Sequence, residues 1–146
     1  MIAVDTNILV YAANATSPFH RPCLIWLERQ RVSSEPWYAT WPILYEFLRV
    51  VTHPRTLQSP WTVRGAWSFL ANALLVAPTF SVLHATERHP LVANETLAEN
   101  PDLRGNILHE AHTAVLMREH GVRRICTRDT DFHRFKFLEV IDPVQL

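Results

Sequence analysis

Short apolar runs alternate along this chain with longer segments of helical periodicity. A run of three or four apolar residues between polar neighbours is typical of a strand buried on both faces. Such runs predict strands at residues 2–4, 37–39, 80–83, 124–126 and 138–141.

The longer segments repeat their apolar residues at helical spacing. They predict helices over 22–31, 41–52, 61–76, 90–99 and 106–120. Thr40 is a typical N-cap with Pro42 in the first turn that follows, and Asn106 is a candidate cap for the last helix. Gly121 stands where a helix C-terminus needs a left-handed residue.

Strands that alternate with helices predict an α/β fold, in which helices cover both faces of a mainly parallel sheet of about five strands. The length of 146 residues suits a single domain over 1–146. No apolar run reaches the ~18 residues of a transmembrane helix. The N-terminus lacks the basic start of a signal peptide, so we expect a cytoplasmic protein without membrane contact.

Charge and cysteine content exclude some classes of function. Fourteen basic residues balance fourteen acidic ones, so the chain is not a general polyanion binder and any contact with nucleic acid must use local patches. Cys23 and Cys126 have no CxxC partner, which excludes a cysteine zinc cage. We expect both to be small buried apolar residues.

Acidic residues recur at positions that the predicted fold brings together. Asp5 ends the first strand, and Asp129 and Asp131 follow the fourth. Glu46 and Glu110 lie on or beside the apolar stripes of two helices. Ligand sites of parallel sheets form at the carboxyl ends of the strands. These carboxylates are therefore expected to converge there, although for each glutamate alone a salt bridge to an arginine or a position at the edge of the apolar stripe is the more common explanation.

A cluster of carboxylates is tolerable only with a cation between them. Carboxylate and water ligands suit Mg²⁺ or Mn²⁺. The chemistry that such ions serve best is phosphoryl transfer or phosphodiester hydrolysis. The acids therefore predict a metal-dependent enzyme that acts on phosphate esters.

Four segments around these acids carry a family resemblance. They are VDTNILVYA at 4–12, LYEFLRV at 44–50, ILHEAHTA at 107–114 followed by EHGV at 119–122, and TRDTDFHRF at 127–135. In this order and over nearly the whole chain, they resemble the PIN-domain nucleases, and specifically the VapC toxins of type II toxin–antitoxin pairs.

The resemblance implies a Rossmann-like three-layer fold and a Mg²⁺- or Mn²⁺-dependent endoribonuclease. It also implies a homodimer and a VapB-type antitoxin that blocks the site. The family's catalytic and metal-binding acids map onto Asp5, Glu46, Glu110 and Asp129, with Asp131 as a further metal ligand. Asn7 and Thr127 map onto polar residues that hold the carboxylates or water.

One residue departs from the family pattern, which usually has aspartate where this chain has Glu110. The additional methylene moves the carboxylate further out, whereas Mg²⁺ requires ligands at ~2.0–2.1 Å. The substitution therefore affects the expected rate and metal preference more than the fold.

The segment 118–136 holds six basic and three acidic residues and is a candidate surface for RNA. Within it, Arg128 and Arg134 flank the acids and are candidates for phosphate contacts. The alternative is that both arginines are merely solvated.

Two other functions remain open at this point. A PIN-like module that binds RNA or protein without turnover would explain Glu110 as a mark of lost activity. A phosphohydrolase acting on small esters would use Asp5 as nucleophile. Such enzymes typically have a second aspartate two residues later, whereas this chain has Asn7. The HEAH sequence at 109–112 lacks the spacing of a zinc protease.

Overall fold

The computed structural model describes residues 1–146 and contains one sheet of five parallel strands. All five predicted strands are present, with ends that agree within one residue. The strands are β1 (Ile2–Val4), β2 (Trp37–Thr40), β3 (Phe80–Leu83), β4 (Arg124–Cys126) and β5 (Glu139–Ile141). Their order across the sheet is β3–β2–β1–β4–β5.

Six α-helices connect and cover these strands. They are α1 (Thr6–Ala13), α2 (His20–Val32), α3 (Trp41–Thr52), α4 (Val63–Leu70), α5 (His89–Ala98) and α6 (Ile107–Glu119). A π-helical segment (Ala71–Leu75) extends α4, and a 3₁₀ helix (Thr130–Arg134) lies between β4 and β5. None of the helices combines the length and the apolar character needed to cross a membrane.

The structure differs from the sequence-based prediction at four helices, of which α2 begins two residues earlier than predicted. Helix α1 is absent from the prediction, because its eight residues follow β1 directly and leave little room for a helical period to show. The helix predicted over 61–76 begins two residues later, where the Thr62 side chain accepts a hydrogen bond from the Gly65 amide. Asn106 occupies the N-cap position of α6 as predicted, but its side chain makes no capping hydrogen bond.

Two local predictions are confirmed. Oγ1 of Thr40 accepts a hydrogen bond from the Ile43 amide and so begins α3. Gly121 has φ of +69°, a left-handed conformation that ends α6 at little steric cost. Local chemistry therefore sets these two helix ends.

Apolar side chains fill both faces of the sheet. On β1, Ile2 and Val4 belong to a cluster of 21 buried residues, and Ala3 belongs to a second cluster of 10. The first cluster includes residues of α1 to α4, and the second includes residues of α6 and the 3₁₀ helix. This alternation along a strand gives the three layers of the fold.

The sheet order determines where a site can form. From β1 the chain moves outward through β2 to β3, and it then returns to the other side of β1 with β4 and β5. The connections leaving β1 and β4 therefore diverge and open a crevice at the carboxyl ends of these two strands. Asp5 and Thr127 are the first residues after these strands.

Candidate active site

Asp5 anchors the site because it both ends β1 and caps α1. Its Oδ1 accepts a hydrogen bond of 2.7 Å from the amide of Thr6. Its own amide donates to the carbonyl of Cys126, which fixes the end of β1 against β4. The carboxylate is therefore held by backbone on both sides, and its orientation is set before any ligand arrives.

Asn7 and Thr127 hold the second oxygen of Asp5. Oδ2 of Asp5 accepts hydrogen bonds from Nδ2 of Asn7 at 2.7 Å and from Oγ1 of Thr127 at 2.6 Å. Asn7 and Thr127 also contact each other at 3.0 Å, between Nδ2 and Oγ1. These two residues have the positions expected of side chains that orient a carboxylate.

Thr127 also organises the loop that carries Asp129. Its Oγ1 accepts a hydrogen bond of 2.9 Å from the Asp129 amide. Oδ1 of Asp129 in turn accepts one of 2.9 Å from the Asp131 amide, which begins the 3₁₀ helix. Asp5 and Asp129 are therefore connected through a single threonine.

Four acidic side chains line one open cavity of about 780 Å³ at this edge of the sheet. Each comes from a different part of the chain. They are Asp5 after β1, Glu46 in α3, Glu110 in α6 and Asp129 after β4.

The electrostatics of this cavity disfavour its ionised carboxyl groups. Burial, reinforced by the negative charges of Asp129 and Glu110, raises the pKa of Asp5 to about 6 despite its hydrogen bonds. Burial and the charges of Asp129 and Asp131 also raise the pKa of Glu110. A bound cation would relieve this repulsion, so the donor set fits a divalent ion in charge and in ligand type.

The carboxylates surround the cavity without meeting at one point. No three His, Cys, Asp or Glu side chains lie close enough together to hold a metal ion. Glu46 is bound by Arg49, whose Nη2 lies 2.7 Å from Oε1. Because Mg²⁺ is usually bound by one or two carboxylates and several waters, this wider arrangement is compatible with it.

The remaining predicted site residues lie outside the cavity wall. Asp131 does not line the cavity, and its Oδ1 lies 3.7 Å from Nε of Arg134. Arg128 is 3.7 Å from the ring centroid of Phe19, and its Nε donates to Oδ2 of Asp142 at 3.2 Å. Its side chain is thereby held within the protein, contrary to the expectation of an arginine free to contact phosphate.

The cavity also contains polar residues that the sequence did not single out. Arg49 lies one helical turn after Glu46, and His109 directly precedes Glu110. Asn106, Thr113 and Tyr11 line the cavity as well. The i,i+3 spacing of Glu46 and Arg49 was the one available signal, because such pairs meet on a helix surface.

The sequence matches the model of a known protein family. Residues 2–138 match the family model described as the PIN domain. The chain belongs to the PIN-domain family. This PIN domain is 32% identical over 139 residues to Ribonuclease VapC48 of Mycobacterium tuberculosis, covering 95% of this chain and 94% of that protein. It is 35% identical over 144 residues to Ribonuclease VapC43 of the same organism, covering 99% and 96%.

Solved structures confirm the PIN-domain fold. The M. tuberculosis toxin VapC20, described as cleaving the sarcin–ricin loop, superposes with a TM-score of 0.65 at 20% identity, covering 91% of this chain and 93% of that one. VapBC2 of Rickettsia felis, bound to a DNA fragment from its promoter, gives 0.66 at 18% identity, with 97% and 98% covered. The predicted α/β fold and family are therefore confirmed.

Proposed function

We propose that this PIN-domain protein is the VapC-type toxin of a type II toxin–antitoxin pair. It hydrolyses phosphodiester bonds of RNA as an endoribonuclease that depends on Mg²⁺ or Mn²⁺, and it acts in the cytoplasm. The observation that carries this proposal is that one cavity is lined by four acids from separate parts of the chain, Asp5, Glu46, Glu110 and Asp129. Full-length relatives named ribonucleases support the substrate class.

Asp5 and Asp129 would hold the cation, because their orientations are set by Asn7, Thr127 and the backbone. A bound divalent ion lowers the pKa of water and offsets the charge that develops on phosphoryl oxygens. Asp131 lies outside the cavity wall and contributes negative charge near Glu110.

Glu110 would take the proton from the attacking water, and through water it would also help to hold the ion. It lines the cavity, and its raised pKa brings its proton affinity closer to neutral pH. Glu46 keeps Arg49 beside the substrate space, where the guanidinium can face a phosphate oxygen. No covalent intermediate with the protein is required.

A cleavage assay with purified protein tests this function. The substrates are tRNA and ribosomal RNA fragments, each incubated with Mg²⁺, with Mn²⁺ or with EDTA. We expect fragments with either ion and none with EDTA. Asp5→Asn and Asp129→Asn should lower the rate by at least about 100-fold, since both remove a metal-binding charge.

Glu139→Gln is the matched control, because Glu139 is an exposed acid at the opposite, amino end of β5. It should cleave like the wild type. RNA binding without fragments would favour the non-catalytic module. Phosphate release from p-nitrophenyl phosphate, without RNA cleavage, would favour the small-ester phosphohydrolase. Cleavage that persists in EDTA would contradict the metal-dependent mechanism.

The proposed partners are a VapB-type antitoxin and a second copy of the chain. Apolar side chains suited to such contacts are exposed on the outer helices, including Tyr45 on α3 at 65% and Val63 and Trp67 on α4 at 67% and 42%. Light scattering of the purified protein should give twice the mass of one chain. A monomer at micromolar concentration would contradict the homodimer.

A further inference from the structure

A second cavity adjoins the acidic one and contains two arginines. It has a volume of about 600 Å³. The residues that line it are Pro101, Asp102, Leu103, Arg104, Ile107 and Arg134. Two basic residues face one acidic residue, which gives this cavity a charge opposite to that of its neighbour.

The two cavities have no lining residue in common, but neighbouring residues of the same two segments line them. Asn106, His109 and Glu110 line the acidic cavity, and Ile107 in the same first turn of α6 lines the second. Phe132 lines the acidic cavity, and Arg134 at the end of the same 3₁₀ helix lines the second. An extended polymer that crosses the acidic cavity can therefore continue into the second cavity.

Both arginines retain donors for a ligand. Arg104 is exposed and forms no ion pair within 4.0 Å. Arg134 is 48% exposed at its side chain, and its one ion pair is the long contact of 3.7 Å to Asp131. Arg128 differs, since both Asp142 and Phe19 engage it.

The acidic cavity needs a basic neighbour if its substrate is a polyanion. Four carboxylates line it, and its one arginine already binds Glu46. Beyond the one phosphate that Arg49 can face, phosphates on either side of the scissile bond would find their counter-charge in the second cavity. Guanidinium groups suit this task because their fork of donors matches two phosphate oxygens.

We propose that Arg104 and Arg134 form a subsite that binds a backbone phosphate of the RNA next to the bond that is cut. This inference rests on the proposed ribonuclease function. The subsite binds phosphate and sugar without reading bases, so it contributes affinity and register along the strand, not sequence preference.

The test measures binding of a fluorescein-labelled single-stranded RNA 20-mer of mixed sequence. An Asp129→Asn background prevents cleavage, and the variants are Arg104→Gln, Arg134→Gln and the double variant. The matched control is Arg31→Gln, because Arg31 is also exposed and unpaired but lies at the end of α2, at the opposite edge of the sheet. Circular dichroism and melting temperature confirm that each variant is folded.

We expect the double variant to bind about 10-fold or more weakly, with Arg31→Gln unchanged. The slope of log Kd against log salt should fall by about 0.7 for each phosphate that the protein no longer neutralises. In chains with Asp129 intact, KM for RNA should rise while kcat stays within about twofold, because neither arginine touches the reacting group.

The subsite proposal would be overturned if the double variant kept the wild-type slope of log Kd against log salt. It would also be overturned if Arg31→Gln weakened RNA binding equally. Weakened binding of poly-glutamate with unchanged RNA binding would reassign the cavity to an acidic protein segment and would also overturn it. The wild-type cleavage assay separates these results from failure of the proposed function. If the wild type cuts RNA and the double variant binds it normally, only the subsite is wrong.

Discussion

The side-chain nitrogen of Asn7 donates a 2.7 Å hydrogen bond to Oδ2 of Asp5, and its oxygen accepts one of 3.2 Å from the backbone amide of Arg128. The second bond fixes which end of the Asn7 amide faces Asp5. An asparagine can serve both partners because it carries a donor and an acceptor, which an aspartate does not. Asn7 thus joins the end of β1 to the loop after β4.

Substitution of Asn7 tests this orientation. Asn7→Ala should lower the cleavage rate about 10–100-fold and weaken Mn²⁺ activation, because Asp5 is then without one of the donors that set its direction. Asn7→Asp should be at least as damaging, since it adds a charge beside Asp5. The measurement is the rate of RNA cleavage over a range of Mn²⁺ concentrations.

Asn14→Ala provides the control, because Asn14 lies at the far end of α1 and bonds only within its own turn. It should retain wild-type activity. Wild-type activity in Asn7→Ala would show that the Asp5 carboxylate does not need the hydrogen bond from Asn7.

The raised pKa of Asp5 predicts how metal-free stability depends on pH. Folding favours the protonated form of Asp5, whose pKa rises from 3.8 to about 6. Protonated Asp5 makes its full contribution to the free energy of unfolding below about pH 4. This contribution, up to about 3 kcal/mol, is lost as pH rises through 6. Denaturation in urea with EDTA present, between pH 4 and 8, measures this trend.

Asp5→Asn isolates the contribution of this one carboxyl group. The difference in unfolding free energy between wild type and variant should change across pH 4–7 and level off above. Added Mn²⁺ should stabilise the wild type most at high pH, where the carboxylate is ionised. A difference that does not vary with pH would show that Asp5 titrates normally in the folded protein.

Arg128 and Asp142 join the ends of β4 and β5 near the site. Their contact is 3.2 Å, and their side chains are 25% and 16% exposed. Arg128→Gln and Asp142→Asn should each lower kcat through the Asn7 contact, with little change in KM for RNA. A double-mutant cycle on stability should give a coupling of about 0.5–1.5 kcal/mol for a partly buried pair.

The sequence alone suggests instead that Arg128 binds RNA. That role predicts a higher KM and a smaller salt slope in Arg128→Gln, with no matching effect of Asp142→Asn. Equal changes in kcat for Arg128→Gln and Asp142→Asn would support a role of Arg128 in positioning Asn7. A change confined to the KM of Arg128→Gln would contradict that role.

Glu119 is a buried acid whose side chain has 0% exposure. Its oxygens accept hydrogen bonds from the amide and hydroxyl of Thr86 at 2.9 and 2.7 Å and contact Nδ1 of His89 at 2.6 Å. Burial raises its pKa, but these bonds outweigh burial and hold the pKa of Glu119 below its usual value. Its stabilising effect is therefore present at neutral pH and is lost as pH falls through the lowered pKa.

Glu119→Ala should lower the free energy of unfolding at pH 7 by about 1–3 kcal/mol, since the donors on Thr86 and His89 lose a buried acceptor. Glu95→Ala is the control, because Glu95 is half-exposed and lies 3.9 Å from Arg118. It should change stability by less than about 0.5 kcal/mol. An equal effect of both substitutions would contradict the role of burial.

Glu110→Asp restores the residue that is usual in the family. The shorter side chain should shift metal preference toward Mg²⁺, which tolerates less variation in ligand distance than larger ions do. The ratio of cleavage rates with Mg²⁺ and Mn²⁺ measures this shift. An unchanged ratio would mean that Glu110 acts on water or substrate without influencing the ion.

The sequence alone predicted all five strands, five of the six α-helices and the four acids that line the cavity. These features are readable because periodicity, caps and turn residues act over a few neighbours, and because parallel strands always bring their carboxyl ends to one edge. Helix α1 was not predicted, because eight residues directly after a strand are too few to show a clear helical repeat of apolar positions.

Only the tertiary structure decided how each side chain at that edge is used. Arg128 contacts Asp142 and Phe19, Asp131 faces Arg134, and Asn7 bonds to Thr127 across 120 positions of sequence. The free energy of an ionisable or polar group depends on which partners and how much water surround it, and these are set by segments far away along the chain. Local pattern carries no information about such distances.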